Sequence, residues 1–276
     1  MFGAVFGDII GSYYELHCTK DYNFPFHRES TFTDDSVMTC AVCRAILLDD
    51  ENTEKRHIKR RAKEYAVQYK QYYSYFPHAG YGNMFSEWAK NPQNMRKIRS
   101  YGNGGAMRAV PIGYAYDTIE QVMLQAKASC MYTHNCREAV HGTQAVAGAV
   151  WLAVHGESKD TIKDFISRKF RYNLDFSLRE IKPHYAFDSS TDYSIPPSIV
   201  AFLESSDYES AVRNVVSLGG DADTMACIAG GIAEAYYKVI PKHIKRFCFS
   251  RLDYTLKSTA LEFCKKYSIK SFGNDD

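Results

Sequence analysis

Two short acidic motifs, each directly before a helical pattern, are the parts of this sequence best suited to chemistry. The first is TDD at residues 33–35, and the second is DADT at residues 221–224. An aspartate before a helix most often caps it, because its carboxylate accepts backbone N–H bonds that the first turn leaves unpaired. Two acids and a threonine at each of two helix starts go beyond one cap, so a single shared site is the alternative to separate capped helices.

A shared site would also draw in Asp8 or Glu15 from the N-terminal helical pattern. Several carboxylates in one cleft repel each other by several kcal/mol in a low-dielectric setting unless cations neutralise them. Carboxylate and hydroxyl oxygens without a partnering histidine or cysteine favour hard cations, so Mg²⁺ or Mn²⁺ is expected before Zn²⁺ or Ca²⁺. Convergence therefore predicts a binuclear metal site.

A glycine-rich loop, SYGNGGAMRAVPIG at residues 100–113, is the second candidate binding feature. Its glycines would let backbone N–H groups approach a ligand closely, and a helix predicted to start near Ala106 would add its positive dipole end, as diphosphate sites commonly do. The loop is neither a P-loop nor a dinucleotide fingerprint, since it lacks both the Gly-Lys-Ser/Thr ending and a preceding strand. Glycine clusters are usually turns, which is the alternative interpretation.

Helices must position these motifs, because apolar residues recur every three or four positions and no window shows strand alternation. The period covers residues 37–48, 58–72, 119–128, 139–154, 199–203, 211–216, 226–237 and 252–264. The sequence therefore predicts an all-α protein. The least regular part, residues 169–197, contains three prolines and many aromatics, and we predict a long ordered loop or lid there.

Composition restricts the classes of partner. The 276 residues are 45% hydrophobic, which is enough for a sizeable core, and no repeat or composition shift marks a domain boundary. The 34 Lys and Arg residues nearly balance the 32 acids, so no overall field favours nucleic acid or an anionic membrane. No signal peptide or membrane-spanning run is evident, and we expect a cytoplasmic protein whose cysteines, including the C-x-x-C pair at 40–43, are buried thiols.

A basic run, KRHIKRR at residues 55–61, is expected on the polar face of a helix. The apolar face of that helix would carry Tyr65, Tyr69 and Tyr72, which we interpret as core or interface. A solvated surface is the favoured interpretation of the run, and a docking surface for a negatively charged partner is the alternative.

Five motifs in a fixed order resemble those of the ADP-ribosylglycohydrolases, the family of dinitrogenase reductase-activating glycohydrolase and of the ADP-ribosylarginine and ADP-ribosylserine hydrolases. They are GAVFGDIIGSYYE at residues 3–15, TDDS at 33–36, GNGGAMRAVPIG at 102–113, TH at 133–134 and LGGDADT at 218–224. The resemblance covers almost the whole chain. It implies one all-α domain over residues 1–276, a compact orthogonal helical bundle with a binuclear metal cleft.

The resemblance also implies roles for individual residues. The metal ligands it implies are Thr33, Asp34, Asp35, Asp221, Asp223 and Thr224. The substrate site it implies combines the ADP-ribose loop with one histidine, namely Gly102, Asn103, Gly104, Gly105, Ala106 and His134.

Glu15 matches a glutamate that lies near the metals in serine-specific relatives, on a loop that can move. We expect it on a mobile segment and take it as the candidate proton-handling residue, with Asp34 and Asp35 as the other catalytic acids. Some relatives use another acid between the TDDS motif and the glycine-rich motif, where this sequence has Glu51, Glu54, Glu64 and Glu87.

The implied activity is hydrolysis of the bond between ADP-ribose and a modified protein side chain of the arginine or serine type. Two divalent cations, Mg²⁺ or Mn²⁺, would bind the ribose hydroxyls and polarise a water. A hydrolase of a free ADP-ribosyl or ribosyl small molecule and a non-catalytic ADP-ribose-binding module remain alternatives. The expected partner is thus an ADP-ribosylated protein or small molecule, with no nucleic acid or membrane, and the expected state is a monomer.

Overall fold

The computed structural model describes residues 1–49 and 57–270. Within these ranges helices form the whole framework, and two isolated β-bridges build no sheet, so the all-α prediction is confirmed. The helices are, in chain order, α1 Phe2–Leu16, α2 Asp34–Leu47, α3 Ile58–Tyr75, α4 Asn83–Ala89, α5 Val110–Ala115, α6 Ile119–Cys130, α7 Arg137–Val154, α8 Lys159–Phe170, α9 Leu178–Ile181, α10 Thr191–Leu203, α11 Tyr208–Val216, α12 Ala222–Tyr237, α13 Lys242–Phe249 and α14 Tyr254–Lys266. A short 3₁₀ turn covers Asn103–Gly105.

Helices α1 and α12 form the closest pair and run antiparallel. Gly3, Gly7 and Gly11 recur every four residues on α1, and a Cβ atom at any of them would overlap the backbone of α12. The carbonyls that these glycines face are, in the same order, those of Gly230, Ala226 and Ala222. The C-terminal end of α1 therefore lies against the N-terminal end of α12, where the second acidic motif begins.

The predicted loop at residues 169–197 is wrong in its last part, because α10 starts at Thr191 and contains Pro196 and Pro197. A proline inside a helix removes a backbone donor and leaves the carbonyl four residues earlier unpaired. The hydroxyl of Tyr185 compensates by donating to the carbonyl of Tyr193 over 3.1 Å. The remaining irregular stretch, together with the short α9, packs beside the acidic motifs.

Helix α3 carries the predicted tyrosine stripe on its buried face, and Tyr65, Tyr69 and Tyr72 belong to the core. The basic run differs from the expectation at Arg61, which is 1% exposed and pairs with Asp49 over 3.2 Å and with Glu64. A buried guanidinium needs such partners because an unpaired buried charge is costly. Residues 55 and 56 of the run lie outside the described ranges.

The cysteines are free thiols, and only Cys18 among the eight is exposed. Cys40 and Cys43 are buried on α2, and burial raises the pKa of both thiols, as expected for cysteines that pack as small apolar residues. None of the helices in the described ranges has the length and apolarity that a membrane crossing requires.

Candidate metal centre and adjoining cleft

The structure brings the two acidic motifs together with two acids of α1. Carboxylate oxygens of Asp8, Asp35 and Asp223 lie within 4.8 Å of one another, and so do those of Glu15, Asp221 and Asp223. A further acid of α2, Asp34, lies in the wall of the cleft that Glu15 and Asp35 also line. We call the complete set the acidic cluster, which is Asp8, Glu15, Asp34, Asp35, Asp221 and Asp223. Three helices that are distant in sequence supply it, so the α1–α12 contact and the docking of α2 create the site.

Asp35 shows most clearly that the cluster could hold a cation. Its Oδ2 atom accepts a hydrogen bond from the Thr224 hydroxyl over 3.2 Å and lies 3.4 Å from the Thr33 hydroxyl. Its Oδ1 atom is buried and has no hydrogen-bond donor among the described residues. A buried carboxylate oxygen without a donor costs free energy, and a hard cation is the partner that oxygen ligands of this kind favour.

Asp8 was considered from the sequence only as a possible companion, and the structure gives it a central place. It is fully buried and accepts four hydrogen bonds: from the backbone N–H of Thr33 (3.0 Å) and of Ser36 (3.1 Å), from the Thr33 hydroxyl (2.7 Å), and from the Ser36 hydroxyl. These bonds attach α1 to the N-terminus of α2. A lone aspartate within an apolar helix was the available sequence signal.

Helix capping explains only one of the two motifs. Thr33 is the N-cap of α2, and its hydroxyl accepts a bond from the Asp35 N–H over 3.4 Å. Asp221 occupies the N-cap position of α12, but its side chain makes no capping bond and instead accepts from the Asn103 amide over 2.7 Å. The interpretation of separate capped helices is therefore wrong for the second motif.

Burial and mutual repulsion make the cluster hard to ionise. Burial, with the nearby charge of Asp223, raises the pKa values of Asp34 and Asp35 well above their usual range, and burial with Asp221 does the same for Asp223. Burial also raises the pKa of Asp8 to about 6. Positive charge placed among these oxygens would reverse the penalty, so the donor set fits hard divalent cations.

Glu15 lies in the last turn of α1 and not in the irregular segment that follows it, so the expected location outside a helix is wrong, whereas its mobility stays a prediction. The helix continues to Leu16 because the following backbone N–H, that of His17, still bonds to the Tyr13 carbonyl. Its half-buried carboxylate lines the cleft near Asp223. Burial, followed by the charges of Asp223 and Asp8, raises the pKa of Glu15 to about 7.

The glycine-rich loop forms the wall of the cleft next to the acidic cluster. Asn103 is buried, its N–H donates to the Ser189 carbonyl (2.9 Å), and its amide bridges Asp221 and the Ser194 hydroxyl (3.1 Å). A Cβ atom at Gly104 would lie 3.0 Å from Nε2 of His134, so a side chain there would obstruct the cleft. Gly102 also faces the cleft.

Two residues of the glycine-rich loop, Gly105 and Ala106, lie behind this wall. Gly105 is buried, and a Cβ atom there would lie 2.6 Å from the Thr143 hydroxyl, so its need for glycine is a packing requirement. Ala106 is buried as well. The helix predicted near Ala106 is wrong, because the chain forms a 3₁₀ turn and α5 starts only at Val110, beside Pro111.

His134 lines the cleft opposite Gly104, and its orientation depends on a residue that the sequence did not single out. Arg108 is buried and donates to the Thr133 hydroxyl over 2.6 Å, and that hydroxyl lies 2.8 Å from Nδ1 of His134. Burial, followed by the charge of Arg108, lowers the pKa of His134 well below its usual value. The imidazole is therefore neutral at physiological pH.

The cleft has a volume of about 370 Å³ and an aromatic entrance that sequence reasoning also missed. Tyr81 and Phe187 line it, and Phe187 is 56% exposed. Phe187 belongs to the aromatic-rich stretch predicted as a loop or lid, which was the available signal. Tyr81 follows a glycine in the connection between α3 and α4, and no feature of the sequence singled it out.

The other candidate acids lie elsewhere. Glu64 pairs with Arg60 and Arg61 on α3, and Glu87 pairs with Lys90 on the exposed side of α4. Glu51 and Glu54 lie outside the described ranges. A larger cavity of about 840 Å³, which includes Tyr172 and Tyr185 in its wall, contains none of the acidic cluster. The smaller cleft is therefore the candidate site.

Comparisons with known proteins agree with this geometry. The sequence profile of the ADP-ribosylglycohydrolase family matches residues 1–267. ADP-ribosylhydrolase ARH3 of Homo sapiens is 27% identical, over 89% of this chain and 87% of that protein, and ARH3 of Xenopus tropicalis is 27% identical over 86% and 85%. A solved structure described as an ADP-ribosylglycohydrolase-related protein complex superimposes with a TM-score of 0.66, over 98% of this chain and 96% of that one, at 24% identity, which is a likeness of fold.

Proposed function

The chain belongs to the ADP-ribosylglycohydrolase family, and from this premise we propose that it hydrolyses the bond between ADP-ribose and a modified protein side chain of the arginine or serine type. One observation carries the proposal. Six acidic side chains that cannot easily ionise together are clustered, and five of them line one cleft with the glycine-rich loop and a neutral histidine. A buried cluster of this kind is an unfavourable arrangement unless a ligand uses it.

The proposed cofactors are two divalent cations, Mg²⁺ or Mn²⁺. The residues that would hold them are Thr33, Asp34, Asp35, Asp221, Asp223 and Thr224. When bound, such ions neutralise the carboxylates, orient the hydroxyls of the ribose and lower the pKa of a bound water. Asn103 would act beside them by fixing one oxygen of Asp221 through its amide, since a hydrogen bond to a metal ligand orients that ligand.

Binding of ADP-ribose is proposed along the glycine-rich wall of the cleft, next to the acidic cluster. Gly102 and Gly104 line the cleft without a side chain, so a diphosphate can approach the backbone of the loop there. The N–H groups of Gly102 and Asn103 already bond to the Ser100 hydroxyl and the Ser189 carbonyl, which leaves Gly104 as the position proposed to donate to the ligand. Neutral His134 supplies one ring nitrogen next to Gly104 as a hydrogen-bonding group. Tyr81 and Phe187 at the entrance would exclude water from the bound ribose.

The chemical step needs a group that can hold and release a proton near neutral pH. Cleavage at C1 of the ribose develops oxocarbenium character, which the surrounding carboxylates stabilise electrostatically. Glu15, whose carboxylate lines the cleft close to Asp221 and Asp223, is the proposed group that passes a proton between the attacking water and the leaving side chain. Asp34 and Asp35 are proposed as the acids that hold the reacting region in place.

A substrate panel tests the proposal. Arginine-linked, serine-linked and nucleotide-linked ADP-ribose would be incubated with the purified protein in Mg²⁺, in Mn²⁺ and in EDTA, and ADP-ribose release would be measured. Release from a protein-linked substrate that stops in EDTA supports the proposal. Release only from nucleotide-linked or free ribosyl compounds would favour the small-molecule hydrolase, and tight binding of ADP-ribose without release would favour the binding module.

A further inference from the structure

Lys20, in the irregular segment after α1, makes an unusual set of contacts for a lysine at the surface. Its ammonium group donates to three backbone carbonyls, those of Lys182 over 2.9 Å, Tyr185 over 2.7 Å and Leu218. It forms no ion pair with a carboxylate in the described ranges. An ammonium group has three donors, so these three carbonyls use its full capacity.

Each of the three connected segments leads into the cleft within a few residues. Lys20 follows Glu15 in the chain, and Leu218 precedes Asp221. Tyr185 precedes Phe187, which stands at the cleft entrance. A single nitrogen atom therefore joins the segment after α1, the loop before α12 and the wall formed by the α9–α10 connection.

The segments that Lys20 joins also pack directly against one another. Gly219 has a φ of +69°, and a Cβ atom there would overlap Cys18 Sγ and lie 3.2 Å from the Thr19 carbonyl oxygen. The Cys18 thiol donates to the Gly219 carbonyl over 3.5 Å. A Cβ atom on the next residue, Gly220, would lie 2.5 Å from the ring of Tyr185. The segment after α1 thus covers the turn that presents Asp221.

We propose that Lys20 is a positioning residue that holds the Asp221 turn against the end of α1 and so sets the spacing of the acidic cluster for its cations. The inference rests on the proposed metal site. Carboxylates gathered in one place repel each other and push the end of α1 away from the start of α12. Lys20 opposes this movement from outside the cleft, where it contacts neither substrate nor cation.

The test compares Lys20→Met with a matched control, Lys159→Met. Lys159 is another lysine whose ammonium donates to backbone carbonyls, those of Leu203 over 3.0 Å and of Ser205, and it does not line the cleft. Methionine keeps much of the apolar stem in both variants and removes the ammonium donors. A general effect of losing such bonds should therefore appear equally in both proteins.

Calorimetric titration of Mn²⁺ into metal-stripped protein is the main measurement. We expect Lys20→Met to bind Mn²⁺ about tenfold or more weakly than the wild type, which is the usual effect of losing a group that orients ligands. Lys159→Met should bind it with wild-type affinity. Wild-type affinity in Lys20→Met, or an equal loss in both variants, would overturn the proposal.

The reactivity of Cys18 gives a second measurement that needs no metal. It is the one exposed cysteine, so its reaction with a thiol reagent reports on the segment that Lys20 fastens. Lys20→Met should react faster than the wild type, and Lys159→Met should not. An unchanged rate in Lys20→Met would show that the segment stays in place without Lys20 and would overturn the proposal.

Lys20→Arg keeps the charge but cannot direct three donors at one point, because the guanidinium is planar. Its Mn²⁺ affinity should fall between those of the wild type and Lys20→Met, whereas full wild-type affinity would show that charge alone suffices and would overturn the three-carbonyl mechanism. None of these measurements uses ADP-ribose. A wild type that binds Mn²⁺ but releases no ADP-ribose would therefore refute the proposed function without affecting this inference.

Discussion

Asp223 connects the two halves of the acidic cluster, since its carboxylate belongs to both groups of close oxygens. Asp34 completes the cluster from α2, where it is only partly buried. Both carboxylates are held among like charges, which disfavours their ionised forms. Removing such a group relieves repulsion in the metal-free protein and at the same time removes a proposed ligand, so its effects on stability and on activity have opposite signs.

We therefore expect Asp34→Ala and Asp223→Ala each to abolish turnover and to leave a folded protein. In EDTA, the melting temperature of Asp34→Ala should be equal to or higher than that of the wild type, whereas added Mn²⁺ should raise it less. Turnover and thermal unfolding with and without Mn²⁺ measure both effects. Glu87→Ala, at an exposed acid that pairs with Lys90, is the control and should behave as the wild type. Full activity of the wild type in EDTA would contradict metal dependence.

Glu15→Gln separates binding from catalysis. The amide is nearly isosteric, so affinity for ADP-ribose should stay close to the wild-type value, whereas turnover should fall by about 10²-fold or more, as for other losses of acid-base catalysis. Turnover assays and ADP-ribose titrations on the same preparation measure the two quantities. Near-normal turnover would remove Glu15 from the mechanism and direct attention to Glu51 and Glu54.

At the scale of single residues, the sequence predicted those members of the candidate site whose types and spacing are unusual within one short motif. The TDD and DADT motifs are visible in this way, and so is the glycine loop. Asp8 and Arg108 could not be assigned, because their function depends on partners such as Thr33 and Thr133, which are 25 residues away in each case. Folding brings these groups together, and no local pattern encodes the pairing.

At the scale of elements, the glycine stripe of α1 is what allows the cluster to form. Gly7 faces the Ala226 carbonyl so closely that no other residue fits without moving a helix. The apolar period correctly predicted most helices, but it did not predict this contact, since the stripe on α1 specifies close approach and not the identity of the partner. The prolines of α10 were misinterpreted for a related reason, because the Tyr185 hydroxyl that compensates for Pro197 comes from another segment.

Gly7→Ala tests the role of the stripe. The added methyl group would overlap the α12 backbone, so we expect a destabilisation of about 1–3 kcal/mol, typical of overpacking. The same shift should weaken Mn²⁺ binding, because Asp8 and Asp223 lie next to this contact. Denaturant unfolding and Mn²⁺ titration measure the two effects. For stability the control is Gly82→Ala, where nothing lies within 4 Å of the added atom; an equal stability of both variants would contradict the role of the stripe.

At the scale of the whole molecule, the net charge of +2 gives no hint of the acidic cluster. Balanced composition describes the average surface, while the cluster concentrates acids from three helices in one cleft. The electrostatics of the folded protein are therefore dominated by a local imbalance that unfolding disperses. This makes the stability of the metal-free protein dependent on pH and on cations in a direction that can be worked out.

The acids of the cluster have folded-state pKa values above the ordinary values of about 4, with Asp8 at about 6 and Glu15 at about 7. The folded state therefore binds protons more tightly than the unfolded state, and the free energy of unfolding falls as pH rises through this range. His134 acts in the opposite direction only below its ordinary pKa of about 6.5, because burial keeps it neutral. Lys70, whose pKa burial lowers to about 8, opposes this trend only near the upper end of the range. The acids should thus dominate the change between about pH 6.5 and pH 8.

We expect the melting temperature in EDTA to rise as the pH is lowered from 8 to 6.5, and excess Mg²⁺ or Mn²⁺ to raise it more at pH 8 than at pH 6.5. Cations compete with protons for the same oxygens, so each should matter most where the other is scarce. Thermal unfolding at both pH values measures this, and Asp34→Asn should show a smaller dependence on pH because one repelling charge is gone. A melting temperature in EDTA that is higher at pH 8 than at pH 6.5 would show that these carboxylates are not held as a strained cluster in the folded protein.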